Sequence, residues 1–364
     1  MAKVETEIRK RTKTVAEICG EYKKFIGRKV MFIISLIPIL FLIVGVSTSL
    51  GSANITVWDA YSAFLHKLFP DSFSTNWLAD VCVWHLRLPR ILLGIATGIA
   101  LGVAGAVMQG ILRNPLASPY TLGISSGAGF GASLAILAGF GVVGGEYLVV
   151  GNAFIFALIC AFIIIGLSSR RGATPETMIL AGIALTYLFS AMTTLLQYFA
   201  EAQAVKAVVF WMVGDLDRAS WPTLSLISFV LACCIPLLML KSWDLNVMGA
   251  GDETAKSLGI NVERTRIFVM IVASLLVATV VCFTGTIGFI GLVAPHICRM
   301  VIGGDNRFLL PASGLFGAVL LTAADAVARS IIAPVIIPVG VITAFMGVPL
   351  FLYLIMRRRR REYW

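Results

Sequence analysis

The sequence lacks the residue patterns that nucleotide hydrolysis and metal binding require. No Gly-Lys dipeptide occurs, so the phosphate-binding loop GxxxxGK[S/T] is absent. Seven cysteines are scattered without a CxxC pair, and the three histidines are well separated along the chain. These spacings favour neither a disulfide framework nor a zinc site. We therefore expect no catalytic residue, no metal site and no cofactor, and any ATP-driven step would need a separate ATPase.

Charge is also scarce. Only 13% of the residues are charged while 59% are hydrophobic, and the mean hydropathy is +0.93. These values are typical of polytopic membrane proteins. The net charge of +10 comes largely from residues 1–29 and from Arg357–Arg361, which flank apolar segments. Basic residues in such places are typical of cytoplasmic ends, which favours a membrane protein over a nucleic-acid-binding one.

Apolar runs of about 20 residues predict membrane-spanning helices. The sequence predicts ten, at roughly 30–50, 91–112, 119–140, 147–168, 178–199, 223–241, 267–284, 286–302, 310–330 and 338–356. An even number places both termini on one side. Of the 29 lysines and arginines, the only ones then on the outer side are Lys67, Arg87, Arg90, Lys206, Arg218 and Arg329. The positive-inside rule makes the side of the termini the cytoplasm.

This topology divides the chain into three parts. We expect a basic cytoplasmic extension over 1–29, a ten-span membrane domain over 30–356 and a basic cytoplasmic tail over 357–364. Spans two and seven both follow an arginine pair and both precede a Gly/Pro-rich break. They lie five spans apart and run in opposite directions. This echo indicates an all-α fold of two inverted five-helix repeats, an arrangement typical of transporters.

The stretch from Arg87 to Ala128 organises the predicted bundle. Glycines recur there every three or four residues and so share one helix face: Gly94, Gly98, Gly102 and Gly105. Small residues at this spacing let helix backbones approach closely in lipid, so we expect them to serve packing. Arg113 and Asn114 follow; such polar groups belong at an interface, in a cavity or against a partner. The alternative is structural, with Asn114 capping a helix that Pro115 ends.

The segment 242–266 is the longest predicted loop on the cytoplasmic side. Good helix formers lie between Gly251 and Gly259, and Asp252 and Glu253 stand where a helix start favours negative charge. We expect short helices joined at glycines. The alternative is an ordinary solvated loop.

Several motifs together resemble a known family. They are RLPR from Arg87, QGILRNPLASPYTLGISSGA from Gln109, LAGIAL from Leu180, WMVGDL from Trp211, LNVMGAGDETAKSLGINVERTR from Leu245, GTIGFIGLVAPHICR from Gly285 and PVGVITAFMGVPLF from Pro338. In this order they resemble the FecCD family of permeases, which belong to ATP-binding-cassette (ABC) importers of iron–siderophores, haem and cobalamin. The resemblance covers about residues 30–356.

The resemblance implies an assembly in the cell membrane. Two copies of the permease would form one pathway, two ATPase subunits would dock on the cytoplasmic side, and an extracytoplasmic binding protein would deliver the metal chelate. The permease would then translocate the chelate by alternating access and would itself be no enzyme.

The resemblance also implies roles for particular residues. Arg87, Arg90 and Arg329 would receive carboxylates of the binding protein, since a guanidinium offers a bidentate fork; anchoring to lipid phosphate is the alternative. Coupling to the ATPase would fall on Gly251, Asp252, Glu253, Thr254, Ala255, Lys256, Ser257, Leu258 and Gly259. The pathway would be lined by Thr186, Ser190, Thr193, Thr194, Thr343 and Gly347. Arg113 and Asn114 would belong to the inner interface.

Two positions qualify this interpretation. Ile336 stands where the family commonly has an acid, in the loop before the last span. Asp325 is the only acid inside a predicted span; it shares a helix face with Arg329 and pairing is expected. The alternative function is a proton-coupled secondary transporter that uses Asp325. An intramembrane enzyme would need paired catalytic groups at depth, which the sequence does not supply.

Overall fold

The computed structural model describes residues 15–51, 55–67, 69–71, 73–170 and 172–356. Across these residues the fold is all-helical and contains no strand. The first eight helices are α1 (Val15–Ser49), α2 (Val57–His66), α3 (Trp77–Val81), α4 (Leu88–Leu112), α5 (Ile124–Ala138), α6 (Leu148–Ser169), α7 (Pro175–Tyr198) and α8 (Ala202–Val213). The other seven are α9 (Trp221–Leu240), α10 (Ser242–Gly249), α11 (Asp252–Ser257), α12 (Val262–Thr284), α13 (Ile290–Ile302), α14 (Asn306–Ser330) and α15 (Val339–Met356).

Every predicted span coincides with one of these helices. Within the described ranges, seven helices are long and apolar enough to cross a membrane, and four apolar helices are shorter. The shorter ones are α5, α8, α13 and α15. Helix length therefore supports seven crossings directly, and ten only when α5, α13 and α15 also cross.

The core of the bundle consists of α4, α12 and α14. The most apolar windows of these helices are 83%, 78% and 67% buried, against 11% for α1. A helix that is apolar on all sides and little buried presents its surface to lipid. These three helices instead bury their apolar surface inside the bundle: α4 packs against α14, α13 and α12, and α12 packs against α6 as well.

Glycines allow α4 to touch its neighbours backbone to backbone. A Cβ on Gly98 would lie 2.5 Å from the Gly317 carbonyl oxygen of α14. One on Gly102 would overlap the Ser313 carbonyl, and one on Gly105 would overlap the Gly291 carbonyl of α13. The expected close approach of helix backbones is confirmed at Gly98, Gly102 and Gly105, whereas Gly94 faces the side chain of Leu216.

The end of α4 differs from the expectation. Arg113 takes the capping position: it adopts the left-handed conformation with φ 45°, and its N–H donates to the Gly110 carbonyl, while the N–H of Asn114 donates to the Gln109 carbonyl at 3.3 Å. The side chain of Asn114 stabilises the turn that follows, where its Oδ1 accepts the N–H of Leu116 at 2.9 Å. A residue just beyond a helix commonly takes the left-handed conformation, and here the chain reaches that point one residue early.

Helix α1 runs without a break across the predicted boundary between residues 29 and 30. Lys29 is only 4% exposed, with its Nζ 3.7 Å from Asp305 Oδ2 and 4.4 Å from the centre of the Phe25 ring. The described part of the basic extension is thus a helix that continues the first span, and Lys29 fixes it to the start of α14.

The glycine contacts generate a prediction for stability. Gly105→Ala is expected to lower the free energy of unfolding by about 1–3 kcal/mol, because the new methyl group overlaps backbone that cannot move aside. The measurement is the thermal unfolding temperature of the detergent-solubilised protein. Gly166→Ala is the matched control, since Gly166 lies in α6 with open space around it. A Gly105→Ala protein as heat-resistant as the wild type would contradict close packing at this point.

Candidate functional site

A cluster of buried charges lies at the N-terminal end of α4. Asp325 of α14 is 1% exposed and stands between two arginines. Arg90 Nε donates to its Oδ1 at 2.8 Å, and Arg329 Nε donates to its Oδ2 at 2.9 Å. The expected pairing of Asp325 with Arg329 is confirmed, and Arg90 joins the pair from a distant part of the chain.

Two further aspartates approach Arg90 from the segment after α8. Arg90 Nη1 forms a short ion pair with Asp217, and Arg90 Nη2 lies 3.3 Å from Asp215 Oδ1. Burial raises the pKa of Asp215, and the positive charge of Arg90 opposes that shift. Asp217 differs from the others because its side chain is 59% exposed. It forms the water-accessible rim of the cluster.

The C-terminal turn of α1 covers the other two arginines. Arg87 Nη1 donates to the carbonyls of Thr48 at 2.7 Å and Ser49 at 3.3 Å. Arg329 Nη1 donates to the Leu50 carbonyl at 2.9 Å, and its Nη2 donates to both the carbonyl and the hydroxyl of Ser47. The last carbonyls of a helix lack partners within the helix and carry partial negative charge, so they suit a guanidinium.

A cavity of about 190 Å³ opens onto this cluster. Arg87, Arg90, Arg329 and Asp217 line it, and so does Ile336. The sequence places Ile336 in the loop before the last span, as a departure from the family pattern, and the structure adds that this loop reaches the arginine cluster. The apolar side chain of Ile336 thus lines the same cavity as the three guanidinium groups. An acid at this position would have added a negative charge to the cavity wall.

The opposite end of α4 faces the segment 242–266. This segment forms helices α10 and α11, so the alternative of an ordinary loop is wrong. Gly251 precedes α11 with φ 118° and Gly259 follows it with φ 84°, which are backbone conformations that favour glycine. Ala255 is fully buried, and it packs with Met248 and Val262 to hold α11 against α10 and α12.

Helix α11 presents a largely polar surface to solvent. Glu253, Thr254, Lys256 and Ser257 are exposed, and Lys256 Nζ donates to Glu253 Oε1 at 2.9 Å. Proximity of Glu253 raises the pKa of Lys256. Leu258 ends this surface with 66% of its area exposed. An apolar tip beside charged residues is an arrangement typical of a protein–protein contact.

Asp252 connects α11 to the bundle. Arg266 of α12 donates from Nη2 to both carboxylate oxygens of Asp252, at 2.9 and 3.1 Å, and Arg113 Nη2 lies 3.5 Å away. Sequence reasoning gave Arg266 no role of its own. A signal was present, since an arginine directly before an unbroken apolar run is costly unless a partner meets it.

A second polar network fixes α10 to the start of α14. Asn246 Nδ2 donates to Asp305 Oδ1 at 2.9 Å, and Asn246 Oδ1 accepts the N–H of Asn306 at 2.7 Å. Partial burial by itself raises the pKa of Asp305, but hydrogen bonds from Arg307 and Asn246 lower it to about 2. The carboxylate is therefore ionised at neutral pH and is a permanent acceptor for these contacts.

The expected pathway residues fall into two groups. Ser190 and Thr194 lie on an exposed face of α7, and Thr186 is half-buried there. Thr193, Thr343 and Gly347 are instead buried within the chain, and Thr343 and Gly347 line a small cavity of about 60 Å³. In the part of the chain that the structure describes, no three His, Cys, Asp or Glu side chains gather as metal ligands would.

Comparison with known proteins adds independent findings. A model of the FecCD transport family matches residues 39–357. A protein of Methanocaldococcus jannaschii, described as an ABC transporter permease, is 47% identical over 354 residues, which cover 95% of this chain and 99% of that protein. The hemin transport system permease of Yersinia pestis is 40% identical over 330 residues, which cover 88% of this chain and 95% of that protein.

A solved structure is similar over almost its whole length. It belongs to a protein described as a metal-chelate type ABC transporter, in an inward-facing conformation. The TM-score is 0.79 at 30% identity, and the match covers 90% of this chain and 99% of the other. Further relatives are named as permeases for cobalamin and for iron(III) citrate.

The charge cluster generates a prediction. Asp325→Asn is expected to lower the free energy of unfolding by about 3–5 kcal/mol, because it leaves two buried guanidinium groups without their common partner. Thermal unfolding in detergent measures this loss, and Glu146→Gln, at an exposed acid, is the control. Adding Arg329→Gln to Asp325→Asn should cost less than the sum of the single changes. Strictly additive losses would show that the pair does not act as a unit.

Proposed function

We propose that this chain, which belongs to the FecCD transport family, moves a metal chelate into the cytoplasm by alternating access. Membership of the family makes it the permease subunit of an ABC importer for metal chelates. The resemblance inferred from the motifs is thereby confirmed. The permease is no enzyme, since ATP is hydrolysed by separate ATPase subunits in this family. It works with a substrate-binding partner as well, and several apolar helices make it a multi-pass membrane protein.

The proposed assembly contains two copies of the permease and two ATPase subunits. Each permease would cross the cell membrane ten times, as two inverted five-helix repeats, with both termini in the cytoplasm. The distribution of lysine and arginine supports this orientation. The short helices α5, α13 and α15 would complete the ten crossings, since each coincides with a predicted span.

The single observation that carries the proposed mechanism is the helix pair α10–α11. It projects an exposed surface from Glu253 to Leu258, yet Asp252 and Ala255 tie it to the bundle. A mechanical link to an ATPase requires both an exposed contact surface and a rigid attachment of that surface to the membrane helices. We propose that the residues Gly251–Gly259 dock on the ATPase, with the two glycines as the points where backbone angles change.

The arginine cluster is the proposed docking site of the binding protein. Arg87 and Arg329 already bind the carbonyls of Thr48, Ser49 and Leu50. Carboxylates form stronger hydrogen bonds with guanidinium groups than neutral carbonyls do. Acids of the binding protein would therefore displace the end of α1 from Arg87 and Arg329, while Arg90 stays paired with Asp325.

The remaining assignments concern the pathway and the inner interface. Ser190 and Thr194, on the exposed face of α7, are the best-placed members of the proposed lining. Thr193, Thr343 and Gly347 would join it only in a conformation that uncovers them. Arg113 belongs to the proposed inner interface through its contact with Asp252, and Asn114 supports the same turn.

The alternative, a proton-coupled transporter, depends on Asp325. Its carboxylate is 1% exposed and is bonded to both Arg90 and Arg329. A proton carrier needs access to water on each side in turn. The geometry around Asp325 favours a structural ion pair instead.

The first prediction of the proposed function concerns the energy source. Proteoliposomes that contain the permease, its ATPase and its binding protein are expected to accumulate a chelate only with ATP, whatever the proton gradient. Haemin, ferric citrate and cyanocobalamin are the compounds to test, and uptake is measured by their absorbance or radiolabel. Vesicles without the ATPase are the control. Uptake driven by a proton gradient in those vesicles would reject the proposal in favour of the alternative.

A second prediction concerns the docking site. Arg87→Gln is expected to weaken binding of the binding protein by at least about tenfold, since a paired charge is lost at the interface. The dissociation constant is measured with the permease in nanodiscs. Lys206→Gln is the matched control, because it removes an exposed cation predicted on the same side. Equal affinity for the wild type and Arg87→Gln would exclude Arg87 from the docking site.

A further inference from the structure

Arg266 is among the most deeply buried charged residues in the described part of the chain. It is 1% exposed and lies just after the first turn of α12. Its guanidinium group is nevertheless well supplied with acceptors. Nε donates to the Ile111 carbonyl at 3.0 Å, Nη1 donates to the Ala173 carbonyl at 2.7 Å, and Nη2 holds Asp252. A buried guanidinium with this number of bonds has little freedom to move relative to its partners.

The acceptors belong to three different elements. Ile111 lies in the last turn of α4, and Ala173 lies in the connection between α6 and α7. Asp252 is the first residue of α11. Ala173 itself has φ 48°, an uncommon angle for a residue with a side chain, and its N–H donates to the Ser168 carbonyl at the end of α6. The connection is thereby held so that the Ala173 carbonyl points toward Arg266.

Two of these elements lead away from the α10–α11 end of the bundle. Helix α4 has 25 residues and carries the arginine cluster at its other end. It is fixed to α13 and α14 by its glycines, so it transmits displacement along its length as a unit. Helix α7 carries the exposed Ser190 and Thr194. A displacement of α11 that pulls on Arg266 therefore acts on the ends of both α4 and α7.

We propose that Arg266 is a positioning residue for transport, the group through which α11 moves the ends of both α4 and α7; the ion pair of Arg113 with Asp252 reaches the end of α4 alone. The proposal rests on the proposed coupling function of α11. It assigns to Arg266 a role apart from contact with the ATPase, which its burial prevents. The planar fork of arginine is needed, because the ammonium of a lysine is a compact point charge and does not reach three acceptors in fixed directions.

The experiment uses the complete transporter in proteoliposomes and two changes that break the link in different places. Asp252→Ala removes the acceptor on α11, together with its ion pair to Arg113, and leaves the bonds of Arg266 to α4 and Ala173. Arg266→Lys keeps the charge but loses the fork. Glu176→Ala, an exposed acid in the first turn of α7, and Arg170→Lys, an exposed arginine at the end of α6, are the matched controls.

Two ratios are measured. One is the factor by which the chelate-loaded binding protein stimulates ATP hydrolysis. The other is the amount of chelate accumulated per ATP hydrolysed, with whichever of haemin, ferric citrate and cyanocobalamin the wild type accumulates. Both ratios are expected to fall at least about fivefold in Asp252→Ala and in Arg266→Lys, which is the size of a typical coupling between sites. The controls are expected to match the wild type.

The ratios separate positioning from mere structural support. If these residues only stabilised the fold, replacing them would lower the unfolding temperature and the total activity. The molecules that remained folded would then show both ratios unchanged. Unchanged ratios in Asp252→Ala and Arg266→Lys would overturn the proposal. Wild-type uptake that does not respond to ATP would overturn the proposed function itself, and the inference with it.

Discussion

Direct contact between helix backbones fixes the position of α4. Three glycines along α4 meet carbonyls of α13 and α14, so no side chain separates these helices. Contacts of this kind tolerate no sideways shift, because even one methyl group would overlap a carbonyl. Helix α4 is therefore held along most of its length, and the polar groups at its two ends keep a defined separation. The arginine cluster and the α10–α11 pair therefore lie at the two ends of one rigid helix, α4.

Backbone carbonyls accommodate three of the buried arginines together with acidic side chains, whereas Arg90 is bound by aspartates. Arg87 and Arg329 bind the last carbonyls of α1, and Arg266 binds those of Ile111 and Ala173. Helix ends leave carbonyls without partners, and inside a membrane protein these carbonyls must be satisfied. A guanidinium group satisfies several at once. A small number of buried arginines thus supplies hydrogen bonds to carbonyls that would otherwise need water as a partner.

The sequence allowed most elements to be predicted, because apolar run length and glycine spacing are local properties. The pairing of Asp325 with Arg329 was predictable for the same reason, since the two are one helical turn apart. The approach of Arg90 to Asp325 joins residues 235 positions apart, and that of Arg266 to Ile111 joins residues 155 apart. No local pattern encodes such distances. Hydropathy marks the apolar part of a helix and not the residue at which the helix begins. The predicted first span therefore began at residue 30, although α1 begins at Val15.

Helix α1 is longer than the hydrocarbon core of a bilayer is thick. A helix of 35 residues is about 52 Å long, and the hydrocarbon core is about 30 Å thick. About 20 Å of helix must therefore stand outside the hydrocarbon. Ser47 at one end is tied to Arg329, whereas Lys29 is tied to Asp305 near the other, so the excess projects at the Val15 end. The Val15 end therefore extends about 20 Å beyond Lys29, and the ion pair of Lys29 with Asp305 fixes the point at which the helix leaves the bundle.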